Sequence, residues 1–427
     1  MIETIVGRGA SRGGALFRDW FQELSQASES GRQTAYVFVM GSLGEVLRAF
    51  DLLPVFPEIN SLQTAVRRVA HDFLARAEDY GYSPDICGYV KADVAVQLSD
   101  GEHPMGRIPK PSLAIATNAC NTYIKWAEIW ERMHHCPVFT LDVPGSRSAG
   151  FDEPPGSPGF ERDRRYVQRQ IEELIGLCQS ITGRELSLER LKETLAHTNE
   201  MSRCWKEVIA LNRSRPACFD ALTEGTVYLG VLNAMRGTEQ GATYFRELLE
   251  EMQYRAAHGL GTPHQEKYRL MFLGVPCYPL FRRFHEMFSE WGGSFVSSTY
   301  LWFAAAGMDA GFQYDLDRPL ESLAEGVLLS LRRAMDSMFF PSEAILRVAD
   351  EFSLDGVVFH PIKSCRTVST GLADIRRDVM ERSDLPSLTI ESDMMDRRVV
   401  SEAQLKNRID AFFEGLASRR LRAVGKE

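Results

Sequence analysis

No apolar run in the chain approaches the ~20 residues needed to cross a bilayer, so no transmembrane helix is expected. No Cys-x-x-Cys pair occurs, which argues against zinc ribbons and against ferredoxin-type ligand runs built from local spacing. No GxxxxGK[ST] loop occurs either, so ATP hydrolysis through that motif is not expected in this chain. Positive charge is short: 49 Lys and Arg stand against 58 Asp and Glu, a formal net charge of -9. Proteins built around nucleic acid need a basic face, so no nucleic-acid partner is expected. The opening MIETIVGRGASRGG carries charges without an apolar stretch, and the expectation is no secretory signal and a cytoplasmic location. The 8 cysteines are too dilute for a disulfide scaffold, and in a reducing compartment they should be thiols, ligands or core residues. Any cysteine-held centre must therefore be assembled from distant loops.

What is present is the composition of an ordinary folded protein, long enough at 427 residues for two or three domains. Short apolar runs alternate with helical patterns. The runs Ala35–Met40, Leu53–Phe56, Ser112–Thr117 and Val138–Leu141 read as strands in the first part. Arg269–Leu273, Ser294–Ser298, Gly356–His360 and Ser387–Ile390 read so in the last. Helices are expected near Leu43–Phe50, over Leu62–Tyr80 as one piece, over Thr122–Met133, and after Ser401, which pairs with Gln404 as a capping box. Pro144–Gly159 is a Pro/Gly/Ser-rich boundary loop, and a mostly helical stretch follows it to about residue 257. The expected fold class is α/β: two doubly wound, mostly parallel units with a helical insertion between them. The expected boundaries are 1–155, 156–265 and 266–427.

In open parallel sheets, ligands bind beyond the carboxyl ends of the strands, and that rule ranks the cysteines. Cys120 follows the SLAIAT strand and precedes a helix, and Cys365 stands in the same relation to GVVFH. One such turn in each unit allows the two thiols to converge across a cleft, where helix N-termini favour negative charge. Cys87 lies among turn formers, whereas Cys277 in Gly274-Val275-Pro276-Cys277 also ends a strand; position leaves these two level. Cys178 and Cys204 fall on apolar helical stripes and read as core, Cys136 as core or turn, and Cys218 as part of a Pro-containing turn.

Several blocks then carry a resemblance. They are Leu53–Gln63 (LPVFPEINSLQ), Asp85–Asp93 (DICGYVKAD), Asn118–Trp126 (NACNTYIKW), Lys363–Cys365, and Ile390–Asp393 followed by Met395–Arg397. In this order, on this alternation, they resemble the benzoyl-CoA reductase/(R)-2-hydroxyacyl-CoA dehydratase family, with PEINSLQ and CGYVKAD nearer the larger cluster-binding subunit of the reductases. The resemblance implies a [4Fe-4S] cluster on Cys87, Cys120 and Cys365, choosing Cys87 over Cys277. It also implies an acyl-CoA substrate, with low-potential radical reduction of an aromatic acyl-CoA to a cyclic dienoyl-CoA. A related second cluster-bearing subunit, an ATP-dependent [4Fe-4S] activator and a ferredoxin-type donor upstream are implied partners.

Glu58 and Ser42 are the polar residues expected beside the substrate, each in a loop after an apolar run. For Ser42 the plain alternative is a cap for the helix near Leu43. The family often has a proline where this chain reads Leu43-Gly44-Glu45. Lys125, Trp126 and Lys363 are further candidates near the cluster or the CoA phosphates, with helix packing or surface positions as the alternatives. Two other functions stay open: a 2-hydroxyacyl-CoA dehydratase subunit, and a non-catalytic electron-transfer or scaffold subunit.

Overall fold

The structure, a computed structural model, describes residues 5–145, 154–262, 265–305, 310–339 and 341–424. Its strands are β1 (Thr34–Tyr36), β2 (Leu53–Val55), β3 (Glu102–His103), β4 (Gly106–Arg107), β5 (Leu113–Thr117) and β6 (Val138–Leu141). They continue with β7 (Tyr268–Leu273), β8 (Gly293–Ser298), β9 (Gly356–Phe359) and β10 (Ser387–Thr389). One four-stranded sheet runs β2-β1-β5-β6 and another runs β8-β7-β9-β10, with every pairing parallel. The two sheets thus share one strand order, which reverses direction at β1 and at β7. Every residue of β5, β7, β8 and β9 is buried, as parallel strands covered on both faces require.

All eight expected strands are present; the antiparallel ribbon β3–β4 is an addition that the sequence did not announce. The single helix expected over Leu62–Tyr80 is instead two, Pro57–Val66 and Ala70–Tyr80. Between them Arg68 adopts a left-handed backbone (φ 64), and the Val69 N–H closes back onto Thr64 O at 2.9 Å. This is the closure that usually carries glycine. With arginine there, the apolar periodicity runs on unbroken through the stop. Of the Pro144–Gly159 loop, residues 146–153 lie outside the described residues; the helix after it begins at Pro158.

The region between the sheets is helical: Pro158–Thr182, Leu188–Leu211, Thr223–Ala234 and Glu239–Ala257. Side-chain oxygens of Ser157, Ser187 and Thr238 accept the N–H of the residue three further on, so three of these helices begin on hydroxyl caps. The N-terminal helix Arg8–Ser30 packs on the last two of the four. Gly13 permits this approach, since a Cβ there would meet the Tyr244 hydroxyl at 2.8 Å. The buried Glu251 carboxylate accepts the Gly7 and Gly9 N–H groups at 2.5 and 2.6 Å, placing negative charge at that helix's N-terminus. Among the described residues no helix is long and apolar enough to cross a membrane.

A buried ion pair ties the first sheet's surroundings to the helical region. Arg236 Nε donates to Glu45 Oε1 at 2.6 Å, and the Thr198 hydroxyl donates to the same oxygen at 2.8 Å. Arg236 also reaches the Tyr314 hydroxyl, and both charged side chains are almost fully enclosed. Breaking such a pair from one side strands a charge in a low-dielectric core. Arg236→Met should therefore cost about 3–5 kcal/mol, and the double variant Glu45→Leu/Arg236→Met less than the two single losses summed. Urea unfolding of the three variants measures this, and simple additivity would show that the pair is not coupled.

Candidate active site

A cavity of about 320 Å³ opens at the carboxyl ends of both sheets. Its walls come from the segments that leave the strands: Val39 after β1, Cys120 after β5, Val275 after β7, Tyr300 after β8 and Cys365 after β9. This is the place where parallel sheets whose strand order reverses leave a crevice for ligands.

Cys87, Cys120 and Cys365 all line this cavity, and all three are half-buried while the other five cysteines are buried. Each occupies the N-cap position of a helix: Cys87 before Gly88–Leu98, Cys120 before Asn121–His134 and Cys365 before the short Arg366–Ser369 turn of helix. Burial pushes the Cys87 thiol well above its ordinary value, as do the Cys365 and Cys120 sulfurs, while the N–H groups of Val90 and Tyr89 draw it down. The Cys365 thiol is pushed up to about 12, mainly by burial, and Val368 N–H opposes the shift. Cys120 Sγ also meets the Thr367 hydroxyl at 3.3 Å, so the turn after β5 of the first sheet touches the short helix that Cys365 caps. The three thiols therefore share one electrostatic neighbourhood. Among the described residues no three His, Cys, Asp or Glu side chains converge tightly enough to hold a single metal ion. Thiols are donors of the soft type that cysteine-held metal centres use.

Cys277, level with Cys87 by position in the sequence, is fully buried and is not among the cavity-lining residues. Its neighbours are Ser392, Leu280 and Asp393, and no cavity cysteine is among them. Cys136, Cys178, Cys204 and Cys218 are buried core thiols.

Buried carboxylates hold the cysteine turns. Asp93 Oδ2 accepts both the Trp126 and the Trp130 indole N–H at 2.6 Å, and Oδ1 accepts the Gln97 amide at 2.9 Å. Asp93 belongs to the helix that Cys87 caps, and the two tryptophans to the helix that Cys120 caps. On the second sheet, Asp393 Oδ2 accepts Ser364 N–H at 2.8 Å while Oδ1 accepts the Met395 and Asp396 N–H groups. His360 adds a further tie. Its Nδ1 lies 2.7 Å from Val275 O, which only accepts, so Nδ1 carries the proton and Nε2 accepts from the Ser392 hydroxyl at 2.5 Å. Burial lowers its pKa to about 4, which keeps the ring neutral.

Glu58 also lines the cavity, but it lies in the first turn of the helix Pro57–Val66 and not in the loop expected from the sequence. Pro57 at the first helical position and an acid behind it are ordinary start signals, and they were legible. Glu58 Oε2 accepts Val39 N–H and Oε1 accepts the Tyr123 hydroxyl, each at 2.7 Å. Burial raises its pKa to about 7 against those two hydrogen bonds.

Ser42 is completely buried between β1 and the helix Gly44–Ala49, and it is not among the cavity-lining residues. It does not cap that helix: Leu43, in a left-handed backbone (φ 49), holds the N-cap position, and the Ser42 hydroxyl has no partner among the described residues. Lys125 is exposed and paired with Glu128, and Lys363 is exposed and paired with Glu391. Trp126 is packing face and cavity wall at once. Sequence reasoning passed over Asp93, Tyr89, Tyr123 and Tyr300. Tyr89, Asp93 and Tyr123 follow closely on cysteine turns and Tyr300 on a strand end, where the strand-end rule applied equally.

The 2-hydroxyglutaryl-CoA dehydratase D-component family matches residues 44–416. A benzoyl-CoA reductase subunit of Thauera aromatica is 30% identical over 94% of this chain and 92% of its own. The (R)-phenyllactyl-CoA dehydratase alpha subunit of Clostridium sporogenes is 24% identical over 88% of each. The alpha subunit of (R)-2-hydroxyglutaryl-CoA dehydratase from Acidaminococcus fermentans is 22% identical over 93% of this chain and 94% of its own. The chain therefore belongs to the 2-hydroxyglutaryl-CoA dehydratase D-component family, among the subunits of benzoyl-CoA reductases and 2-hydroxyacyl-CoA dehydratases.

Proposed function

We propose that this chain is the cluster-binding subunit of a benzoyl-CoA reductase-type enzyme acting on an aromatic acyl-CoA. The observation that carries the reading is three half-buried thiols at three helix caps on the wall of one cavity that also holds Glu58. Cys87, Cys120 and Cys365 would hold a [4Fe-4S] cluster, which supplies low-potential electrons beside the acyl thioester when bound. Helix N-caps suit this task, because backbone N–H groups meet the negative charge of thiolates that burial alone disfavours. Asp93 and Asp393 fix where the sulfurs stand.

The rest of the work falls to the chain's own groups. Phe17, Tyr89, Trp126, Phe281, Tyr300 and Phe303 give the cavity an aromatic wall, which fits a flat ring and excludes water. Glu58, with its carboxyl poised near neutrality, holds a proton at Oε1 or Oε2 for delivery to the reduced acyl group. The relatives are named as subunits, so a partner subunit follows; an ATP-dependent activator and a ferredoxin-type donor complete the proposal. A 2-hydroxyacyl-CoA dehydratase subunit is the second reading, favoured by the dehydratase names among the relatives.

Two experiments test this. Anaerobic purification should yield iron and acid-labile sulfide that Cys87→Ser, Cys120→Ser and Cys365→Ser each diminish and Cys277→Ser leaves intact. A normal cluster signal by EPR in all three cavity variants would refute the ligand assignment. For Glu58, the protonated carboxyl is the competent form, so turnover of benzoyl-CoA by the assembled enzyme should fall as pH rises through about 7. Glu58→Gln should lower kcat about 10²–10⁴-fold and flatten that limb. Stability follows the same sign. A carboxyl raised from 4.5 to about 7 stabilises the fold fully below 4.5 and loses that contribution by about 7. Thermal unfolding of Glu58→Gln should lack this component, and an unchanged pH profile would remove Glu58 from the role.

A further inference from the structure

A second polar wall of the cavity has no part in the chemistry proposed so far. Tyr89 and Tyr300 line it, each 8% exposed, and Tyr278 stands directly behind them, fully buried. The Tyr278 hydroxyl donates to the Tyr300 oxygen at 2.7 Å, so the Tyr300 proton is turned away from Tyr278 and is free to be given elsewhere. The Tyr89 hydroxyl lies close to those of both Tyr278 and Tyr300, yet meets hydrogen-bond geometry with neither among the described residues. A buried hydroxyl without a partner is a cost that the fold tolerates where a ligand completes the bond. The wall around them is largely apolar (Val275, Phe281, Phe303, Ala304), and the Glu58 carboxylate already accepts Val39 N–H and the Tyr123 hydroxyl.

We infer that Tyr89 and Tyr300, set by Tyr278, form a hydrogen-bonding site for a neutral oxygen of the bound acyl thioester, on a wall separate from the Glu58 carboxyl. The inference rests on the acyl-thioester reading and deepens it. The ligand oxygen is neutral because the oxygens that such a thioester offers, a carbonyl or a hydroxyl, carry no charge, and a phenol donor needs only a lone pair to complete its bond. Tyr89 and Tyr300 both sense the Glu58 charge, which places them on the same space. Burial holds both phenols protonated, Tyr300 up to about 12, so these donors stay armed at pH values where Glu58 ionises. Tyr89 and Tyr300 touch the substrate in this assignment. Tyr278 acts through Tyr300 and is a positioning residue.

Two oxygens share this chemistry: the thioester carbonyl, present in every acyl-CoA, and an α-hydroxyl, present only in the 2-hydroxyacyl thioesters. The test uses the anaerobic, assembled enzyme with carbonyl-¹³C benzoyl-CoA and, separately, carbonyl-¹³C 2-hydroxyacyl-CoA. Isotope-edited infrared spectra and calorimetric titration are read on the same samples. The expected result for wild type is a carbonyl band shifted to lower wavenumber on binding. In Tyr89→Phe and in Tyr300→Phe the band moves back toward its position in buffer and Kd rises about tenfold. Tyr278→Phe gives the same changes at smaller size. If the contact is to the α-hydroxyl, the Kd increase appears with the 2-hydroxyacyl thioester alone and the site still stands. Wild-type bands and affinities within twofold for both thioesters in both Phe variants, with iron and sulfide content intact, overturn the inference and leave the proposed function standing. Failure of the cluster-loaded wild type to bind either thioester overturns the proposed function, and this inference with it.

Discussion

The placement of the site depends on one buried carboxylate. Asp93 takes two indole N–H groups on a single oxygen and a Gln97 amide on the other, all within 2.9 Å. Burial pushes this carboxyl up and the three donors pull it back, so its enclosure is sustained only while all of them remain in place. Since the indole donors sit on the helix capped by Cys120 and the acceptor on the helix capped by Cys87, the relative position of two sulfurs is set by a hydrogen-bond geometry. The aromatic stack Tyr123–Phe38, with ring centroids 3.7 Å apart, continues the same clamp into the first sheet and ends on Glu58. One connected group of side chains thus positions two thiols and the titrating carboxyl.

The second sheet repeats the logic with different parts. Asp393 gathers the backbone N–H groups that shape the Cys365 turn, and a neutral His360 pins β9 to the segment after β7. Both sheets share a strand order, so both leave a crevice at the same relative place, and the contact of Cys120 with Thr367 shows the two crevices facing one another. A site assembled this way needs no local sequence motif. Its cysteine-bearing turns are far apart in the chain and brought together by sheet topology.

That explains what the sequence could and could not show. The eight long-range strands were legible because parallel strands buried on both faces read as unbroken apolar runs, as in LAIAT and YRLMFL. The ribbon β3–β4 was not, because its residues are mostly exposed and carry no apolar pattern. The break at Arg68 was invisible because a left-handed arginine leaves no glycine to mark the stop. Cys120 and Cys365 followed from strand-end placement. Cys87 did not, because it caps a helix that follows another helix and no strand precedes it directly. Asp93 and the tyrosines were hidden for another reason: within an apolar helical stripe, a side chain that clamps or lines a cavity has the same spacing as one that packs.

The cavity reconciles two demands that conflict. A carboxyl held near pH 7 requires a dry, low-dielectric space, which also moves the phenols further from ionising. That same space opposes ionised thiols, and it raises Cys87 and Cys365 accordingly. Cations beside the thiols would relieve them but would also pull the Glu58 carboxyl back toward its ordinary value; Lys125 and Lys363 are exposed and paired outside, and Arg18 and Arg67, which line the cavity, are not among the groups that shift Cys87, Cys365 or Glu58. Backbone N–H groups at the helix caps solve the problem differently. They act over one hydrogen-bond length and carry no net charge, so they favour sulfur negativity at Cys87 and Cys365 without discharging the acid a few side chains away. The use of helix caps rather than lysines at the cysteines is therefore what allows three thiols and a carboxyl held near neutrality to share one cavity.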